Sequence, residues 1–309
     1  MVIVLNLRHL RLFTAVVDQG GFTKAASTLN LSQPAISKSL KELEDGLQLS
    51  LIDRSARSIR LTEAGRLLYD RSRELFGVER IAERELRELR GLKRGLLRVG
   101  ASTTIATYFL PPVLGRFHLR HPRVRIEASS ANTRTILRRL LESKIDLALV
   151  EGPAVHPHVD AIPWREDELV VIAPPDHELL ARPSVAVDDL TTQQFLVRER
   201  GSGTREVTET ALARHGVRLA NTMRVGGTEV MKQAVAAGLG LAIVSRAAAA
   251  DQLALGRIAV LHVNDLEIRR TLTQLKLRGR AIGAAARELE TLLAEPTADV
   301  GVGDASGVA

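Results

Sequence analysis

Residues 32–47, SQPAISKSLKELEDGL, gather Gln33, Pro34, Ser37, Lys38 and Lys41 on one side of a short segment. The chemistry of that set is recognition rather than bond-making. Amides and hydroxyls hydrogen-bond base edges in a major groove, and ammonium groups meet phosphates. A second set lies in four turns farther along: Ser102, Thr103 and Thr104; Asn132 and Thr133; RERGSGTR, with Gly201 and Ser202 at its centre; and Gly226, Gly227 and Thr228. Hydroxyls and backbone N–H groups of this kind suit a small oxyanion or carboxylate. Each set also has a plainer account, as an ordinary surface helix and as residues that merely cap helices and form turns.

Bond-making chemistry finds little support. The chain has no cysteine, so disulfides, thiolate metal sites and cysteine nucleophiles are excluded. Of the eight histidines, His118 and His121 flank Arg120 before a proline turn, and His156-Pro157-His158 has the look of an exposed loop. Neither spacing is that of a helical metal pair. No nucleophile elbow or HExxH pattern accompanies the serines and acids. The expectation is a protein that is not an enzyme and carries neither metal nor cofactor.

The elements that must position the first set are helices. Ser32 is a good N-cap, and Pro34 is tolerated in a first turn whose N–H groups are unpaired anyway. Ile36, Leu40, Leu43 and Leu47 form an apolar stripe at helical spacing. Phe22 to Leu29 reads as a preceding helix with Ala25, Ala26 and Leu29 inward and Thr23 near its start; Asn30 and Leu31 leave room only for a tight turn. That pair is a helix-turn-helix. Leu51 to Thr62 shows a short strand-like alternation interrupted by Arg54, Arg57 and Arg60, a basic wing that can reach phosphates. Leu7, Leu10, Phe13, Val16 and Val17 make an amphipathic helix before the pair, ending at Gly20-Gly21. After the wing a helical run extends from Thr62 to about Leu92, with Leu68, Leu75, Val78, Ala82, Leu86 and Leu89 at spacings of three, four or seven among Arg and Glu. The pattern suits pairing with a second copy, or packing on its own domain.

Charge agrees with this placement. The net charge is +7, and residues 1–94 hold 17 Lys/Arg against 12 Asp/Glu, so most of the surplus lies with the helix-turn-helix, as phosphate neutralisation requires. Aromatic residues are 3% of the chain, which argues against recognition by base stacking. Apolar residues at 45% and charged residues at 26% describe a folded chain without membrane spans. Met1 to Leu5 has no basic leader or long apolar core, so the expected location is cytoplasmic.

Past the basic stretch at Gly91 to Gly95, strand-like and helical runs alternate, which means α/β with mainly parallel sheet. The strand-like runs are Leu97–Gly100, Val124–Ala128, Asp146–Val150, Leu169–Ala173, Phe195–Val197, Met223–Val225, Leu241–Val244 and Thr271–Leu277. The helical ones are Ile105–Leu119, Thr135–Ser143, Arg205–His215, Val230–Ala237, a run from Ala247, and Ala284–Leu293. The four polar turns follow strands, where ligands bind in open α/β sheets. The tail beyond Pro296 is rich in Gly and Ala and reads as disordered.

Residues Leu7 to Leu68, through LRHLRLFTAVVDQGGFTKAASTLNLSQPAISKSLKELEDGL and DRSARSIRLTEAGRLL, resemble the DNA-binding domain of LysR-type transcriptional regulators. Leu51-Ile52 replaces the family's LF, and Lys38 stands where arginine is frequent, keeping charge but losing the planar fork. The resemblance implies a winged helix-turn-helix over 1–65, a dimerisation linker helix over 66–94 and a two-lobed periplasmic-binding-protein-like effector domain over 95–297. Lobe I would comprise 95–166 and 268–297, and lobe II 167–267, with crossings near Pro163 to Asp167 and Asp265 to Arg270. The tail would be 298–309. It further implies a homotetramer built as a dimer of dimers, promoter DNA and RNA polymerase as partners, and a small effector between the lobes. GSGTR resembles a branch that includes regulators of carbon fixation and of sulfur-oxyanion responses, and Glu151 in VEGP fits it; Arg200 replaces a proline common just before GSGTR. Glu151 would face the cleft, accepting a hydrogen bond from a protonated oxyanion or capping the hinge. Two other accounts remain for the same residues: a solute-binding sensor with a merely basic head, and a small-molecule enzyme using an acid such as Glu151.

Overall fold

The computed structural model describes residues 5–53, 59–89, 95–152, 154, 156–279 and 282–295. The chain divides into two compact units, Met1–Leu86 and Arg87–Ala309.

In the first unit, α1 (Leu7–Gln19), α2 (Phe22–Leu29) and α3 (Gln33–Leu47) surround Leu10, Phe13, Val16, Ala25, Ile36 and Leu40, all buried. Asn30 caps α2 in the left-handed conformation at φ 53°, a state Asn tolerates, and Leu31 N donates to Ala26 O at 3.0 Å. Ser32 then accepts from Ala35 N at 3.3 Å and starts α3. Between helix and wing sits a buried carboxylate that hydrophobic patterning does not reveal: Glu44 Oε1 accepts from Leu51 N at 2.7 Å and Ile52 N at 3.3 Å. The wing is β1 (Ile52–Asp53) paired antiparallel with β2 (Arg60–Leu61); Arg54 and Arg57 lie outside the described residues.

Helix α4 (Glu63–Leu89) begins where Gly65 is indispensable, since a Cβ there would lie 2.0 Å from Leu51 O. Its apolar positions split into two uses. Leu68, Tyr69 and Phe76 pack into the helix-turn-helix core, so Leu68 is not free for a second copy. Leu75, Val78 and Leu86 are 39%, 54% and 61% exposed.

The second unit is a nine-stranded sheet, in the order β4-β3-β5-β11-β6-β9-β7-β8 with β10 beside β6. One arm holds β3 (Leu96–Ser102), β4 (Arg125–Ala131) and β5 (Leu147–Glu151), covered by α5 (Leu110–Arg120), α6 (Thr133–Leu141) and α10 (Ala284–Ala294). The other holds β7 (Gln194–Val197), β8 (Asn221–Arg224), β9 (Leu241–Ser245) and β10 (Ala259–Leu261), with α7 (Gly203–Arg214), α8 (Thr228–Ala236) and α9 (Arg246–Ala254). Two long strands, β6 (Val159–Ala173) and β11 (Ile268–Leu277), run antiparallel through both. The sheet is therefore parallel only in its outer arms, around β3 and β7, and antiparallel where β5, β11, β6, β9 and β10 pair.

The structure departs from the periodicity in several places. Strand β6 starts ten residues before Leu169, within the stretch VDAIPWREDE. Leu272 pairs with Arg165 and Thr273 with Pro163, so Trp164 is left unpaired in a bulge and packs against the core of that arm, and the sheet accommodates a residue with no N–H. The helix after β3 opens as a π-turn, Ile105–Phe109, before Pro111 and Pro112, which cannot donate to the preceding turn. Helix α7 starts at Gly203, which brings Thr204 into its first turn.

Glu44→Ala should leave two buried N–H groups unanswered and destabilise the N-terminal unit by about 2–3 kcal/mol, with Glu44→Gln costing less. Chemical unfolding of the full chain, followed through loss of operator binding, measures this.

Candidate functional site

On the DNA-facing candidate, Thr23, Gln33, Pro34, Lys38 and Lys41 are exposed and Ser37 is half-buried. The stripe of α3 turns the other way, with Ile36, Leu40 and Leu43 in the core. Gln33 Nε2 donates to Ser37 Oγ at 3.3 Å, so amide and hydroxyl already form one polar group on the helix tip. Lys38 lies 3.9 Å from Glu42, a weak exposed pair that a phosphate can displace. Lys41 makes no ion pair with a described residue.

In the second unit, the four polar turns converge from both arms of the sheet. Thr104 and Thr228 hydroxyls lie 3.2 Å apart across the two arms, and Arg198 Nη1 donates to Thr228 Oγ1 at 3.2 Å. Arg134 N donates to Gly201 O at 3.2 Å, joining the start of α6 to the GSGTR turn. Thr133 Oγ1 donates to Glu151 O at 3.0 Å, while Asn132 caps its own helix by accepting from Thr135 N at 3.0 Å. Gly203 permits this approach, because a Cβ there would lie 1.8 Å from Glu151 O.

Around this junction, buried hydroxyls come forward without partners: Ser102 Oγ, Thr103 Oγ1, Tyr108 OH and Ser202 Oγ. A buried polar group left unmatched costs about 1–3 kcal/mol, so these hydroxyls have the capacity to take a polar partner. Beside it lie two cations that turn chemistry alone does not identify. Arg198, 2% exposed, makes a two-pronged pair with Glu199 at 2.9 and 3.0 Å. Burial alone would raise the Glu199 carboxyl, but the hydrogen bonds and charge of Arg198 bring it below the ordinary carboxylate range. Lys232, also buried, donates to Ala248 O at 2.6 Å and sits 4.9 Å from the Tyr108 ring. The signal for both was a cation inside an apolar run, FLVRER and VMKQAV.

Glu151 sits where the crossing strands meet. Asp167 and Arg270 are opposite each other in the register of β6 and β11. Arg270 Nε donates to Asp167 Oδ2 at 2.7 Å, and Ser245 Oγ donates to Asp167 Oδ1 at 2.7 Å. Arg270 Nη1 donates to Thr204 Oγ1 at 2.8 Å, which in turn donates to Glu151 Oε1 at 3.3 Å; Glu151 Oε2 has no partner. Burial raises the Glu151 carboxyl above its usual range, opposed without being cancelled by Arg270 and Arg198. A protonated Glu151 leaves Arg270 balanced by Asp167 alone.

No cluster of metal-ligating residues occurs among the described residues, and no helix among them is long and apolar enough to cross a membrane.

A carboxyl whose folded-state pKa is raised holds a proton that the unfolded chain has released. Stability should therefore fall as pH rises above the ordinary carboxylate range. Thermal unfolding at increasing pH, starting below the ordinary carboxylate range, should show this loss in the wild-type chain, and Glu151→Gln should reduce it.

Comparison with known proteins adds relatives to this geometry. Residues 7–66 match the family model described as "Bacterial regulatory helix-turn-helix protein, lysR family", and residues 90–297 match "LysR substrate binding domain". The RuBisCO operon transcriptional regulator of Allochromatium vinosum is 35% identical over 281 residues, covering 91% of this chain and 93% of that protein. The HTH-type transcriptional regulator CysL of Bacillus subtilis is 32% identical over 266 residues, covering 86% and 89%. Among solved structures, the regulatory domain of CcmR from Synechocystis PCC6803 in complex with 2-PG (2-phosphoglycolate) is 28% identical with a TM-score of 0.59, covering 65% of this chain and 97% of that one.

Proposed function

The chain belongs to the LysR family of bacterial helix-turn-helix regulators, a regulator of transcription and not an enzyme, and we propose that a small oxyanion or carboxylate bound between the two arms of its effector domain controls how it reads a promoter. The observation that carries this is the convergence of Ser102, Thr103, Tyr108 and Ser202, buried and unpartnered, beside the buried guanidinium of Arg198. Hydroxyl donors and a nearby cation are what an anion needs once it leaves water. The Synechocystis domain, whose structure holds a phosphorylated carboxylate, and the relative named for the RuBisCO operon support this class of ligand. CysL supports the second half of the branch expectation, a relative on the sulfur side.

Promoter reading falls to α3. Gln33, Pro34 and Ser37 would meet base edges, Lys38 and Lys41 phosphates and the guanine edge, Thr23 a phosphate beside the groove, and Arg54 and Arg57 the flanking backbone. The effector contacts would be Ser102, Thr103, Thr104, Asn132, Thr133, Gly201, Ser202 and Thr228, with Glu151 acting at the hinge. The exposed Leu75, Val78 and Leu86 on α4 support pairing with a second copy, hence two half-sites of inverted symmetry and a dimer-of-dimers assembly. Work on DNA places the protein in the cytoplasm, with RNA polymerase as the partner through which it acts.

Gln33→Ala should reduce discrimination between operator and random DNA by about 1–3 kcal/mol. Arg57→Ala should weaken both equally and lower the salt slope by about one. Competition binding at two salt concentrations separates them, and equal losses in both variants would contradict the division.

For the effector, 2-phosphoglycolate, sulfite, sulfate and phosphate can be compared by thermal unfolding of the full chain. A ligand at about 100 times its dissociation constant should stabilise by roughly 2.7 kcal/mol, and Thr103→Val should abolish the shift. Absence of a shift with all of them would remove the anion site while leaving the DNA-binding role intact.

A further inference from the structure

Helix α7 does not close fully onto the sheet behind it. A cavity of about 440 Å³ opens between α7, β7, β8 and the turn that follows α7, lined by Phe195, Leu212, Val217, Leu219 and Ile243 among others. Its size falls in the range of small-ligand sites, and its walls are mostly apolar, as such sites are. Polar side chains also line it, among them Thr204, Thr208, Thr222 and Arg198. Thr208, on the inner side of α7, is 8% exposed, and its hydroxyl makes no hydrogen bond with a described residue. At the rim stand Arg205, Glu209 and Arg218. Arg205 Nε is engaged by Glu209 at 2.7 Å and Arg205 Nη1 by Arg198 O at 3.0 Å. Arg218 is exposed and has no such partner among the described residues. The rim therefore carries one positive charge without a partner among the described residues, above a mainly apolar chamber into which Thr208 and Thr222 bring hydroxyls.

We propose that this cavity is a second ligand site, separate from the junction between the two arms, and that it takes a small monoanion with an apolar body, an aliphatic or aromatic monocarboxylate. The carboxylate pairs with Arg218 at the rim, and the hydrocarbon fills the space beside Phe195 and Leu212. A dianion is disfavoured because Glu209 already neutralises Arg205. The inference goes beyond the anion site of the preceding section and does not depend on it.

Two lining residues connect the cavity to that section's groups. Arg198 also holds Glu199 and Thr228, and Thr204 also holds Arg270 and Glu151. An occupant that shifts the start of α7 acts on the same hydrogen bonds that join the arms. Binding at the two sites is then coupled, and the coupling is reciprocal.

The test is calorimetric titration of the full-length protein with hexanoate and phenylacetate, against hexanamide as the uncharged counterpart. Hexanoate or phenylacetate should bind once per chain, and hexanamide about tenfold or more weakly than hexanoate. Arg218→Ala should reduce hexanoate affinity to the level of hexanamide without changing the amide's. Ala213→Trp, at an exposed rim position of α7, should block all three ligands while retaining operator binding, which reports a folded chain. Thr103→Val should leave binding in place. Failure of both carboxylates to bind at millimolar concentration overturns the proposal. So does binding indifferent to Arg218→Ala and Ala213→Trp, and so does binding lost in Thr103→Val, which would assign the ligand to the junction instead.

Discussion

The hydrogen-bonded pair between Arg270 and Asp167 is the constraint on which the effector domain depends. It joins the two strands that run through both arms, at the point where β11 leaves β5 and β6 meets β9. Both side chains are almost wholly buried, so removing either partner leaves a stranded charge, a loss of about 3–5 kcal/mol in comparable sites. Ser245, Thr204 and Glu151 attach to the pair from three further elements, each by a hydroxyl or carboxyl. The arms are thus not simply tethered by two strands. They share a polar knot whose hydrogen bonds must rearrange whenever the arms move.

The same knot explains why the polar turns come so close. Gly203 lies against the Glu151 carbonyl, and Gly152 adopts φ 80° beside it, so the end of β5 and the start of α7 touch backbone to backbone. Only residues without Cβ allow that approach. The hydroxyls of Thr104, Thr133 and Thr228 then satisfy one another or nearby carbonyls, while those of Ser102, Thr103 and Ser202 do not. Within one cluster, some hydroxyls already join protein groups and others have no protein partner among the described residues.

Much of this architecture was legible in the sequence where local periodicity carried the signal. Ser32, Pro34 and the stripe Ile36-Leu40-Leu43 marked α3 because capping and amphipathicity are local properties. The alternation of strands and helices marked the α/β region for the same reason. The crossing strands were less legible. The first ten residues of β6 show no clean alternation and contain Pro163, and only pairing with β11, more than a hundred positions later, makes them a strand. Arg270 and Asp167 carry no local pattern at all, because their meaning arises from register. Glu44 looked like one more surface acid, yet it supplies the acceptor for two N–H groups at the entry to the wing. In the turns, residue type could not tell a hydrogen-bonded cap from an unpartnered hydroxyl, since Asn132 and Ser102 look alike until their partners are known.

The bulge at Trp164 has a use of its own. It is the chain's single tryptophan, its indole N–H donates to the Leu293 carbonyl at 3.1 Å, and it lies three residues from Asp167 on a strand shared by both arms. Ultraviolet emission excited at the indole therefore arises from one known position, with no mixture to resolve. Any movement of the arms that disturbs that hydrogen bond, or the nearby Arg165 cation, changes the colour or yield of this light. The protein carries its own optical gauge of hinge motion, in place without a label.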